Sequence, residues 1–111
     1  YRHPYQTEIL KLKFPKFVYE ISEPIPHMPI DKTPVIFVDT EEGVIDMLSE
    51  LKSAREIAID LEHHDARSYF GLLSLMQIST RSKDWVIDTL KPWRHSLQIL
   101  NEVFADPKIL K

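Results

Sequence analysis

In Glu56-Ile57-Ala58-Ile59-Asp60-Leu61-Glu62-His63-His64 apolar and polar residues alternate with the period of a β-strand. Successive side chains of a strand point to opposite faces. Asp60 and Glu62 therefore share one face, and Ile57, Ile59 and Leu61 are expected on the other, packed into a core. The two carboxylate stems stand about 7 Å apart along such a strand. Paired divalent ions at phosphoryl-transfer centres sit about 3.5–4 Å apart, so both carboxylates are able to converge on one pair. Charge at the end of a hydrophobic strand is costly unless something cationic neutralises it. The plainer reading is that Asp-x-Glu is only the polar finish of a buried strand, and the triplet needs its structural context to separate the two.

Upstream of this strand, Val35-Ile-Phe-Val38 reads as a short buried strand bounded by Pro34 and by Asp39-Thr40. Thr40 is a good N-cap, with Glu41 and Glu42 in the first turn, where the helix dipole favours acids. Val44, Ile45, Met47, Leu48 and Leu51 then recur at helical spacing, which predicts an amphipathic helix over 41–52. Downstream, a polar connection containing Gly71 leads to a second strand over 72–80. A short turn at 81–84 leads to a third over 85–88, completing a three-stranded antiparallel meander. Leu97, Leu100, Val103 and Phe104 predict a helix over about 96–104, ended by Asp106-Pro107, with Ile109-Leu110 opening a fourth strand that the chain cuts short.

Residues 1–34 differ. Six of the eight prolines (Pro4, Pro15, Pro24, Pro26, Pro29 and Pro34) fall here, which forbids a long helix. Tyr5, Phe14, Phe17, Tyr19 and Ile25 are interleaved with them, too apolar a mixture for a free linker. The expectation is an extended arm docked by its aromatics on a folded unit beginning at residue 35. Lys11, Lys13 and Lys16 form a small basic cluster, read as a solvated edge before it is read as a phosphate contact.

A chain of 111 residues is one domain at most. A hydrophobic content of 43% and a charged content of 28% are ordinary for a globular protein, and a net charge of −3 exerts no global pull on nucleic acid. The absence of cysteine excludes a disulfide framework and a thiolate metal site. No run approaches the ~18 apolar residues of a membrane span, and no signal peptide opens the chain, so no membrane is expected as partner. The abrupt ends read as those of a piece of a longer protein.

The order helix, three-stranded meander, helix, strand, with acids at the end of the first meander strand, resembles the α/β RNase H-like fold. The residues are more specific. Ile57-Ala-Ile-Asp60-Leu-Glu62-His63-His64, then Arg67-Ser-Tyr-Phe-Gly71-Leu and Leu75-Met-Gln77-Ile-Ser-Thr-Arg81, resemble the first motif of the RNase D-like (DEDD-Y) 3′→5′ exoribonucleases. The double histidine, the Leu75-to-Thr80 run and Asp88-Thr89-Leu90 look like the branch formed by the exoribonuclease subunit of the nuclear RNA exosome. His3-Pro-Tyr5 and the proline-rich arm resemble the segment that precedes its catalytic domain. The resemblance covers essentially the whole chain.

It implies a ribonuclease D-type exonuclease fold, with residues 1–34 as an arm and 35–111 as the N-terminal part of the catalytic domain. It implies a nuclear enzyme that removes nucleotides from RNA 3′ ends with two divalent ions, Mg²⁺ or Mn²⁺, and that works with the exosome core. Asp60 matches the family's first acid, which bridges both ions, and Glu62 the second, which holds the ion bearing the attacking water. His63 is the leading candidate for holding the terminal ribose, and His64, on the face of Asp60 and Glu62, for meeting substrate or metal. The second-motif aspartate and the Tyr-x-x-x-Asp motif have no counterpart here. Asp65, Asp84, Asp88 and Asp106 lie outside those patterns, so the remainder of the same catalytic domain is an implied partner and this stretch alone is expected to be inactive. The alternative is a non-catalytic RNase H-like module kept as an RNA-binding or scaffold unit.

Weaker candidates each have a plainer reading: Arg67 as a salt-bridge partner, Tyr69 and Phe70 packed under the hairpin, Gln77 satisfying backbone groups, Trp85 and Trp93 as core or arm contacts. Zinc at Glu62-His63-His64 is disfavoured, because adjacent histidines lack the i, i+4 spacing that turns two ligands toward one ion.

Overall fold

The computed structural model describes residues 1–111. Helix α1 (Gln6–Lys11) and two 3₁₀ turns, Lys16–Tyr19 and Ile30–Lys32, interrupt an otherwise irregular segment. Strand β1 (Val35–Val38), helix α2 (Glu41–Leu51), strands β2 (Ala58–His64), β3 (Leu72–Ser79) and β4 (Asp84–Asp88), a 3₁₀ stretch (Arg94–Leu100) and helix α3 (Asn101–Phe104) follow. No helix is long and apolar enough to cross a membrane.

The sheet runs in the order β1-β4-β3-β2, with β2, β3 and β4 forming the antiparallel meander and β1 parallel to β4. Cross-strand partners fix the faces. Ile59 is opposite Ile78, Ile78 opposite Trp85; Met76 is opposite Leu61 and Ile87. This row of apolar residues forms one face, and α2 covers it with Val44, Met47, Leu48 and Leu51. Leu100, Val103 and Ile109 complete the same core, and Trp93 packs at its margin, its Nε1–H donating to the Asp39 carbonyl at 3.2 Å. Asp60, Gln77, Val86 and Phe37 lie on the opposite face, which is open at Phe37 and Asp60.

Helix α2 begins where its cap dictates: the Thr40 Oγ1 accepts from the Gly43 N–H at 3.1 Å. The C-terminal helical stretch departs from the expected α-helix. Its apolar residues Leu97, Leu100 and Val103 are spaced by three, and side chains three apart eclipse on a 3₁₀ turn. The stretch stays 3₁₀ to Leu100 before α3 begins.

Several burial expectations fail for one reason. Of Ile57, Ile59 and Leu61, all expected in a core, only Ile57 is buried. Ile59 and Leu61 are 38% and 50% exposed, because α2 and the C-terminal turns cover the start of the strand and not its end. β1 is likewise exposed except at Val38, since it lies at the other edge. The start of β2 does have a second neighbour. Ile57 N–H donates to the Leu110 carbonyl, and Leu110 N–H to that of Arg55, both at 2.9 Å, a parallel pairing where a further strand was expected.

In residues 1–34, Tyr5, Phe14, Tyr19 and Ile25 are exposed. Phe17 is half-buried, and the Arg55 guanidinium stands 4.1 Å from its ring centroid. That cation–π contact fastens the segment beside the start of β2.

The β2–β3 connection turns on Gly71, at φ +64°. The His63 ring lies against it so closely that a Cβ at residue 71 would stand 1.9 Å from Nε2. Gly71→Ala is therefore expected to cost at least about 1–2 kcal/mol from the left-handed backbone alone. Urea unfolding measures the loss, and a shifted His63 ring resonance its cause. Thr40→Ala should destabilise by about 1 kcal/mol, read in the same assay, because the Gly43 N–H loses its cap.

Candidate active site

The strand pattern brings Asp60 and Glu62 onto one face of β2, two residues apart, at the open end of the sheet. Both are exposed, and neither carboxylate has a salt-bridge partner. Asp60 is tied locally: its Oδ1 accepts the N–H of Leu61 at 2.8 Å. Glu62 is tied across the strands: its Oε1 accepts from the Gln77 Nε2–H at 3.2 Å. Gln77 is itself the residue opposite Asp60. Gln77 thus meets an acid rather than the backbone groups the sequence suggests.

The ladder slips between Glu62 and His63: Glu62 pairs with Leu75 and His63 with Leu73, leaving Ser74 as an extra residue in β3. Such a bulge strengthens the local twist and re-aims the residues around it. Alternation along β2 keeps His64 with Asp60 and Glu62. His63 is turned to the other face, where its ring rests on Gly71. The structure therefore groups Asp60, Glu62 and His64 and separates His63 from them.

Asp88 is a further acid on this side of the sheet. It pairs with Leu75, which pairs with Glu62, so it shares their face two strands away, about 10 Å at ordinary strand spacing. Lys91 stands 3.7 Å from its carboxylate and also 3.5 Å from that of Asp39, and Asp88 Oδ1 accepts from the Leu90 N–H. Asp88 is thereby part of the turn after β4. No group of three or more His, Asp or Glu side chains is gathered so as to hold a metal ion. What the face offers is two hard oxygen donors free of cations, the donor chemistry that Mg²⁺ and Mn²⁺ prefer.

The surroundings depart from the sequence reading at the hairpin. Tyr69 and Phe70 are fully exposed, not packed under it, and Arg67 is exposed with no ion pair. Trp85 is buried in the core.

A family model described as a 3′-5′ exonuclease matches residues 35–111. The exosome complex exonuclease RRP6 of Saccharomyces cerevisiae is 50% identical over 111 residues, covering 100% of this chain and 15% of the yeast protein. Exosome complex component 10 of Homo sapiens is 40% identical, again over the whole chain and 12% of the human protein. The chain therefore spans a small part of the relatives it matches. The crystal structure of the catalytic core of RRP6 from Trypanosoma brucei superposes with a TM-score of 0.77 at 37% identity, covering 97% of this chain and 30% of that one. RNase D of the same organism gives a TM-score of 0.60 at 25% identity, over 68% and 28%. The sheet and helices described above are thus those of the RNase D-type exonuclease core, as the resemblance implied. The chain belongs to the 3′-5′ exonuclease family.

Proposed function

We propose that the protein containing this chain is a metal-dependent 3′→5′ exoribonuclease, that Asp60 and Glu62 are two of its catalytic carboxylates, and that its substrate is an RNA 3′ end. The observation that carries the reading is the pair itself: two unneutralised carboxylates held on one open face of a strand, in a chain of the 3′-5′ exonuclease family. Asp60 and Glu62 would hold two divalent ions, Mg²⁺ or Mn²⁺, with the remaining acidic ligands coming from the rest of the catalytic domain. Bound there, such ions supply an activated water and charge stabilisation at the attacked phosphate.

The chain's own residues do the placing. The Leu61 N–H holds the Asp60 carboxylate and the Gln77 amide that of Glu62. His64, on the same face, is the residue we assign to the substrate near the terminal nucleotide. His63, assigned to the ribose by resemblance, reaches the substrate only if RNA binding turns it from Gly71. Its more direct part is to brace the hairpin. Residues 1–34 we assign as an arm that packs on the catalytic domain, held by Phe17 against Arg55. By likeness to the exosome proteins, association with the nuclear RNA exosome core and a nuclear location belong to the same proposal.

In the full-length protein, Asp60→Asn should lower nucleotide release by more than about a hundredfold, beyond what loss of a partner behind the ligands costs. The change preserves size and removes one negative charge. RNA affinity should survive, because phosphate contacts elsewhere carry most of it. An assay on labelled RNA with Mg²⁺ reads the first and fluorescence anisotropy the second. Near-normal release by the Asn variant would refute the catalytic assignment. A wild-type protein that binds RNA without releasing nucleotides would favour the non-catalytic module.

A further inference from the structure

Gln77 lies within β3 between Met76 and the fully buried Ile78, yet its side chain reaches a carboxylate of the open face. It stands opposite Asp60, and its Nε2–H donates to Glu62 Oε1 at 3.2 Å. The amide has only one workable direction. Turned over, it would set Oε1 against the Glu62 carboxylate, acceptor against acceptor. With the donor facing Glu62, Gln77 Oε1 is left buried with no hydrogen-bond partner. An orphaned buried acceptor costs about as much as a hydrogen bond to an exposed carboxylate returns. The amide therefore adds little to stability, and an unbranched apolar side chain of similar length would suit the strand as well.

We infer that Gln77 is a positioning residue, whose amide fixes the Glu62 carboxylate in the orientation in which, beside Asp60, it receives a divalent cation. The inference rests on the metal reading of Asp60 and Glu62. Glu62 needs such a partner more than Asp60 does. Its side chain has one more rotatable bond, it is exposed, and it sits where the ladder is about to slip. Asp60 is held by the backbone of the next residue; Glu62 is held by Gln77. Partners that orient ligands in this way commonly carry 10–100-fold in metal affinity.

The test is Gln77→Met in the full-length protein, which keeps length and removes the amide. Mn²⁺ affinity, measured by calorimetry or electron paramagnetic resonance, is expected to fall about tenfold. The melting temperature should be at least that of the parent, and RNA affinity in chelator should be unchanged. Combined with Glu62→Gln, the Met change should cause no further loss of Mn²⁺ affinity, since it acts only through Glu62. If the Met variant fails to fold, Gln77→Asn carries the test, because its amide is drawn back by one methylene and should weaken Mn²⁺ binding in the same way. Unaltered Mn²⁺ affinity in the folded variant, or a full additional loss beside Glu62→Gln, overturns the inference. Unaltered Mn²⁺ affinity in Asp60→Asn would instead overturn the metal reading itself, and this inference with it.

Discussion

The pairing of β2 with β3 decides which side of the sheet is dry and which carries charge. Ile59 opposite Ile78 and Asp60 opposite Gln77 are neighbouring rungs of one ladder, pointing to opposite faces. A slip by one residue would exchange the faces, placing Asp60 over the helices and Ile59 in water. The register is specified because Ile57, at the start of the strand, is buried in the same core as Ile78 and would leave it in a slipped arrangement. The position of the carboxylates is thus secured by apolar packing on the side they do not face.

That arrangement also explains how two unneutralised acids are tolerated. At about 7 Å apart, two unit charges repel by about 0.6 kcal/mol in water and by about 2.4 kcal/mol at an effective dielectric of 20. Both carboxylates are exposed, so the smaller figure is the relevant one. Closing the face would raise the repulsion toward the larger figure, and a cation between the acids would then become favourable. Openness and charge belong together here: the feature that makes the pair cheap to hold is the one that leaves it accessible.

Much of this was legible in the sequence, and the exceptions share a cause. The cap at Thr40, the apolar stripe of α2 and the alternation through Asp60 and Glu62 are local signals, and the elements appear where these place them. Alternation tells which residues share a face; it cannot tell whether anything covers that face. Ile59 and Leu61 carry the pattern of a buried strand and are exposed, as are three of the four residues of β1. Tyr69 and Phe70 are apolar enough to suggest packing, but the hairpin that bears them extends past the helical layer's reach. The extra residue at Ser74, which shifts the ladder between Glu62 and His63, depends on a pairing between two strands and leaves no mark in either alone. The link between Gln77 and Glu62 is hidden for the same reason, since fifteen residues separate partners that the ladder brings together.

Support for β2 is unequal along its length. Its start is held on both sides, by β3 and by the Leu110 pairing, with the Arg81–Glu56 ion pair and the Phe17–Arg55 contact nearby. Ile57 there is buried in the core. Toward Glu62 the core residues are replaced by exposed ones, and the ladder breaks one residue later. Backbone hydrogen bonds to β3 fix the main chain, while the Glu62 side chain is exposed, with Gln77 as its hydrogen-bond partner. In a region held so thinly, side-chain order must come from polar contacts, and the available ones are few. That makes the cross-strand amide of Gln77 consequential for Glu62, whereas the same bond placed at the well-supported start of the strand would duplicate constraints already present.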